Sequence, residues 1–93
     1  MTITKEKAII IASERIYRSD LDLVLILDET IEKLYGWVLF YTSEKWLITG
    51  DMAYAIAGNA PFLVEKKTGD VVTFGTAHST EFYIEEYEKS LHL

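Results

Sequence analysis

Residues 57–76 read AGNAPFLVEKKTGDVVTFGT, and two short apolar runs set around a compact polar turn decide how the rest of the chain is read. The stretch holds three of the chain's five glycines and its single proline. Phe62 to Glu65 and Val71 to Phe74 are short, rich in branched and aromatic side chains, and bounded by turn formers, so each reads as a strand. Lys67-Thr68-Gly69-Asp70 joins them, with Gly69 at the position that needs a positive φ. Pro61 opens the first strand, where a preceding helix cannot resume.

Working toward the amino terminus, residues 43–60 are the least regular part. Asp51 is placed to cap a brief helix over Met52 to Ala57, which Gly58 would close in the left-handed conformation. Before it, GWVLFYT (36–42) alternates, with Trp37, Leu39 and Tyr41 on one side and Val38 and Phe40 on the other, as a strand does. Leu23-Val24-Leu25-Ile26-Leu27 is an unbroken apolar run followed by Asp28-Glu29-Thr30, and it predicts a strand reaching to about Lys33. A short connection makes these two strands an antiparallel hairpin.

Helical periodicity flanks the strands. Over residues 4–18, Thr4 caps a stripe of Ala8, Ile11, Ala12 and Ile16. Over residues 79–91, Thr80, Ile84, Tyr87 and Leu91 form a stripe with Tyr83 at its edge. Glu81, Glu85, Glu86 and Glu88 fall outside that stripe, and Lys89 sits where it suits the helix dipole. The expected fold class is α+β: an N-terminal helix, a four-stranded antiparallel meander sheet with a short irregular or helical insert between the second and third strands, and a C-terminal helix packed on the sheet. Residues 1–93 are expected to form a single domain.

Ninety-three residues bury roughly 60–65% of their unfolded surface, enough for one domain core. Fifteen acids against nine bases give a net charge of −6, which disfavours nucleic acid, since phosphate binding needs a basic stripe. The acidity serves solubility, or it steers association with a basic partner face. There is no cysteine, so thiolate chemistry and disulfides are excluded. MTITKEKAIIIASERIY carries one three-residue apolar run between charges, which is neither signal peptide nor membrane span, and a cytoplasmic setting is expected.

Candidate chemistry is sparse. His78 and His92 are the two histidines, and His92 is the penultimate residue. His78-Ser79-Thr80 sets a base beside hydroxyls, but adjacent residues at a helix start do not face one another as base and nucleophile must, and Ser79 and Thr80 read as caps. Asp20, Asp22, Asp28 and Glu29 flank a strand without converging on a calcium loop, and no glycine-rich phosphate loop is present. Catalytic residues, cofactors and metal ligands are accordingly expected to be none. Trp46 and Tyr54, in the irregular segment, read either as lids over the core or as partner anchors. With two helices to cover four strands, part of one sheet face is expected to stay open, as a dimer or partner surface.

GWVLFYTS, TGD, AGNAPFLVEKKTGDVVTFGT and EEYE together resemble the YrhB-domain family, known as immunity protein family thirty-five of bacterial polymorphic toxin systems. The resemblance runs from about Asp22 to Glu88 and is strongest at Gly36-Trp37, Gly58-Asn59-Ala60-Pro61, Thr68-Gly69-Asp70 and Gly75-Thr76. It implies a small α+β antidote protein that binds a cognate secreted toxin domain in the cytoplasm and blocks it, with no catalysis of its own. Blocking a toxin calls for a rigid surface with aromatic anchors and complementary charge. The candidate contacts are Trp46, Asp51 and Tyr54 in the irregular segment, Asp28 and Glu29 at the end of the first strand, and Glu81, Glu85 and Glu88 on the last helix. The alternative is a small homo-oligomeric or chaperone-like binding protein that uses the open sheet face.

Overall fold

In the computed structural model, residues 2–17, 22–54 and 60–91 are described. Their order is helix α1 (Lys5–Ile16), strand β1 (Leu23–Leu25), a 3-10 turn (Leu27–Glu29), strands β2 (Ile31–Lys33), β3 (Gly36–Leu39) and β4 (Tyr41–Ser43), helix α2 (Glu44–Thr49), a second 3-10 turn (Met52–Tyr54), strands β5 (Phe62–Glu65) and β6 (Val71–Thr73), and helix α3 (Thr80–Ser90). The strands form a four-stranded antiparallel sheet in the order β2-β3-β5-β6 and a two-stranded ribbon of β1 with β4.

The predicted hairpin of two long strands is therefore broken in two places. Leu25 pairs with Tyr41 and Ile31 with Val38, so one side of the ladder carries more residues than the other. The surplus curls into the first 3-10 turn, where the Glu29 and Thr30 amides donate to the Ile26 and Leu27 carbonyls at 3.0 and 3.1 Å. The Ile26 amide donates to the Phe40 carbonyl at 2.8 Å and carries the pairing across the break. Such a bulge bends the hairpin and lets β1 and β4 leave the main sheet. Asp28 and Glu29 consequently sit on a turn and not at a strand end.

Strand parity builds the core. Trp37 pairs with Val64 and Leu39 with Phe62 on one face, while Val38 pairs with Leu63 on the other. The first face meets α1 through Ala8, Ala12 and Ile16. Two alanines one turn apart, both almost wholly buried, let the helix backbone approach the sheet closely. The second face meets Phe74 and Ile84, with α3 standing off the sheet on the rings of Tyr83 and Tyr87. Phe74 and Tyr83 stack 5.9 Å apart, and Tyr35 and Tyr87 tilt together at 5.1 Å. Complete burial of Val38, Leu39, Leu63 and Val64 contributes about 1.5–3 kcal/mol for each side chain.

The sheet thus forms the middle layer between two helices, and β3 and β5 are covered on both sides. Helix α1 covers one side of these central strands and α3 the other, because the strand pair is apolar at odd and even positions alike; the edge strands β2 and β6 stay half-exposed, with Glu32 and Thr73 exposed.

The turns follow the sequence closely. Thr4 caps α1 by accepting the Lys7 amide at 3.1 Å, and Ser79 caps α3 by accepting the Phe82 amide at 3.2 Å. Gly69 takes φ +78 in the β5–β6 turn, and its amide donates to the Glu65 carbonyl at 2.8 Å. At Gly36 the reason for glycine is room, since a Cβ there would run into the Val64 carbonyl oxygen of the neighbouring strand.

Between β4 and β5 the structure departs from expectation. The regular helix is α2, over Glu44–Thr49, and Gly50 closes it with φ +68. The segment after Asp51 is a single 3-10 turn over Met52–Tyr54. The predicted continuation through Ala57, and Gly58 as its stop, lie outside the described residues, as do Asp20 and His92.

Candidate partner-binding surface

Helix α2 begins on a polar clip. The Ser43 hydroxyl donates to Asp22 Oδ1 at 3.0 Å, accepts the Trp46 amide at 3.4 Å, and lies buried at the end of β4. Asp22 Oδ2 accepts the Lys45 amide at 3.0 Å. That amide bond is the main cause holding the Asp22 carboxyl below the usual carboxylate range, with the Ser43 hydroxyl adding to it against some desolvation. One carboxylate therefore ties the start of β1 to the first turn of α2.

The far end of α2 is also held by its own polar groups. The Thr49 hydroxyl donates to the Lys45 carbonyl at 2.7 Å and accepts the Asp51 amide at 3.1 Å. Asp51 Oδ1 accepts the Ala53 amide at 2.9 Å, so the capping role read from the sequence is present, on a 3-10 turn. The Lys45 ammonium lies 5.5 Å from the centroid of the Tyr54 ring. Ser43, Thr49 and Asp51 are thus occupied with backbone, and no residue of α2 is buried. Trp46 is half-buried, whereas Leu47, Ile48, Met52 and Tyr54 are exposed.

The structure gathers three of the candidate residues, Trp46, Asp51 and Tyr54, on this one connected segment. Asp28 and Glu29 are exposed on the first 3-10 turn. Glu81 and Glu85 are exposed on α3, one turn apart on its outer side. Glu88 differs: its Oε2 accepts the Tyr35 hydroxyl at 2.7 Å and lies 3.8 Å from the Lys33 ammonium. Its carboxylate points toward the sheet, because Tyr35 on the β2–β3 turn rises to meet the last turns of α3.

A parallel contact sits beside it. The Tyr87 hydroxyl donates to Glu65, whose other oxygen accepts the Thr68 hydroxyl at 3.2 Å. Burial first, and then the carboxylate acceptor, push both phenols well above the ordinary tyrosine range. They act as neutral donors that fasten α3 to the ends of β3 and β5. These residues line a cleft of about 440 Å³ with Leu34, Lys66 and Leu91. Lys66 also lies over the Trp37 ring, 4.8 Å from its centroid.

His78 packs its ring on Phe82 at 4.2 Å, next to the Ser79 cap of α3. Among the described residues no group of three or more His, Asp or Glu side chains is disposed to hold a metal ion. No helix among them is long and apolar enough to cross a membrane.

The sequence reading missed Leu47, Ile48 and Met52 as surface residues. The signal for Leu47 and Ile48 was present in SEKWLITG, where Ser43 as cap and Gly50 as stop bracket a six-residue helix. Burial of so short an element does not follow from its pattern.

Comparison with known proteins agrees with this architecture. A family model described as Immunity protein 35 matches residues 6–90, which takes in all three helices and both sheets. The chain is 36% identical over 72 residues to the uncharacterized protein YrhB of Escherichia coli (strain K12), covering 77% of each chain. No solved structure matches it. With the match spanning α1 through α3, this chain belongs to the immunity protein 35 family.

Proposed function

We propose that this protein is an immunity protein that binds a cognate bacterial toxin domain stoichiometrically and neutralises it in the cytoplasm of the cell that carries both. The observation that carries this reading is the family match over residues 6–90. The fold supports it: a sheet packed on both faces gives a rigid body, and a rigid body loses little entropy on docking. The net charge of −6 suits a toxin with a basic face, which it would draw in by long-range steering.

The contacts proposed are those on three separate elements: Trp46, Asp51 and Tyr54 around α2, Asp28 and Glu29 on the first 3-10 turn, and Glu81 and Glu85 on α3. Glu88 takes part through Tyr35, by holding α3 in place. The partner's reaction is not inherited from the family, and inhibition by binding asks for no catalytic group on this chain.

The test is co-expression with the toxin encoded by the neighbouring open reading frame. The expected result is restored growth and a complex of fixed stoichiometry in native mass spectrometry. Persistent toxicity with no complex overturns the proposal, and a stable homodimer indifferent to the toxin points instead to a self-associating binding protein.

A further inference from the structure

Four of the ten exposed large hydrophobic residues among those described fall within the eight residues 47–54, namely Leu47, Ile48, Met52 and Tyr54. Elsewhere such residues lie singly or in pairs, Leu34 with Leu91 along the cleft beside Tyr35 and Tyr87, and Tyr17 with Leu27 in the hollow between α1 and β1, and scattered exposure of that kind is ordinary. The segment 47–54 inverts the usual arrangement of a surface helix, which turns its apolar side inward. Ile48 and Met52 are 73% and 74% exposed, although α2 is held at both ends by Asp22, Ser43, Thr49 and Asp51. A segment fixed by polar clips, with its apolar side chains outward, is preorganised to bury them against something else.

The charges around it say what that is. Among the described residues, Asp22, Glu44 and Asp51 are exposed on or next to this segment, and its one cation is Lys45, which lies over Tyr54. An acidic rim repels the phosphates of an anionic membrane or a nucleic acid, both of which draw lysine and arginine. Pairing with a second copy would bring together two rims of the same negative sign. We propose that the outer face of α2 and the following turn is the toxin-docking surface, with Leu47, Ile48, Met52 and Tyr54 at its centre, and that the toxin meets it with an apolar patch bordered by lysine or arginine. This rests on the immunity reading and selects one of the three surfaces named above.

The test uses the purified toxin domain from the neighbouring open reading frame, titrated against the full chain by calorimetry. Ile48→Asp and Met52→Asp are expected to weaken binding about 30-fold or more, as residues central to an interface do. Glu44→Lys is expected to slow association and to lessen its dependence on salt. Leu34→Asp, at a residue 94% exposed on the β2–β3 turn, is expected to bind like the parent. Circular dichroism melts of the three aspartate variants should match the parent, since none of those side chains is buried.

A parent chain that binds with all four variants binding equally well overturns the docking surface and leaves the immunity reading standing. Loss of binding at Leu34→Asp with Ile48→Asp unaffected does the same. A parent that does not bind the toxin overturns both. Sedimentation showing a homodimer broken by Ile48→Asp would assign the face to a second copy, and binding to phosphatidylserine vesicles would assign it to a membrane; either overturns the proposal.

Discussion

The Tyr87 hydroxyl on α3 donates to the Glu65 carboxylate at the end of β5, and beside it Tyr35 donates to Glu88, so the last helix is fastened to the sheet by two reciprocal phenol–carboxylate contacts. Each contact runs between a helix residue and a sheet-side residue, once in each direction. Tyr87→Phe or Tyr35→Phe leaves a half-buried carboxylate without its donor, and each is expected to cost about 1–2 kcal/mol. That lowers the melting temperature by about 4–8 °C for each kcal/mol in a domain of this size.

The same pair sets an alkaline limit. Folding raises both phenol pKa values, so the folded chain holds these protons more tightly than the unfolded one. Their contribution is complete below about pH 10, the unfolded value, and is lost as pH rises beyond it. Melts from pH 8 to 11 are expected to show a steeper alkaline loss in the parent than in the Tyr35→Phe, Tyr87→Phe double variant.

Asp22 works with the opposite sign. Folding lowers its pKa, so its contribution is present above the usual carboxylate value and fades as pH falls through the depressed one. Protection of the Lys45 and Trp46 amides from hydrogen exchange, taken relative to their intrinsic rates at each pH, is expected to fall in Asp22→Asn at neutral pH, and in the parent under acid. Ser43→Ala, which removes both the cap and the link to Asp22, is expected to cost about 1 kcal/mol.

Two glycines separate crowding from backbone strain. Gly50→Ala meets nothing within 4 Å but must keep φ +68, at a cost of about 1–2 kcal/mol. Gly36→Ala puts a methyl group into the Val64 carbonyl and forces two central strands apart. It is expected to cost about 3 kcal/mol or more, and urea titration of the two variants compares them directly.

Leu63→Ala tests where the core lies. This side chain is fully buried between the sheet and α3, and its truncation is expected to cost about 2–5 kcal/mol. Ile48→Ala, at an exposed site of the same apolar character, is expected to stay within about 0.5 kcal/mol. Paired denaturation curves distinguish a residue that holds the fold from one reserved for a partner.

Much of the architecture was legible because its causes are local. Thr4 and Ser79 cap their helices, Gly69 takes the left-handed turn, and the alternation of Trp37, Val38 and Leu39 sends neighbouring side chains to opposite faces, all from chemistry within a few residues. The family resemblance is strongest at positions that include Gly36-Trp37 and Thr68-Gly69-Asp70, and Gly36 and Gly69 show why: each answers a steric or backbone demand of the fold. The candidate surface was less legible. Trp46, Asp51 and Tyr54 were named as candidates in this segment, but α2 was not foreseen, and its outward residues went unnamed.

What sequence alone determined here is the parity of the strands, the starts of α1 and α3 and the turn between β5 and β6, since those follow from backbone sterics and short-range hydrogen bonds. Tertiary structure decided the rest. The break in the hairpin depends on Ile26 meeting Phe40, the inward turn of Glu88 depends on Tyr35 reaching it from 53 positions away, and the covering of β3 and β5 on both sides depends on where α1 and α3 come to lie. Each is a pairing between distant parts of the chain, and the energy that settles it does not exist until the sheet has brought them together.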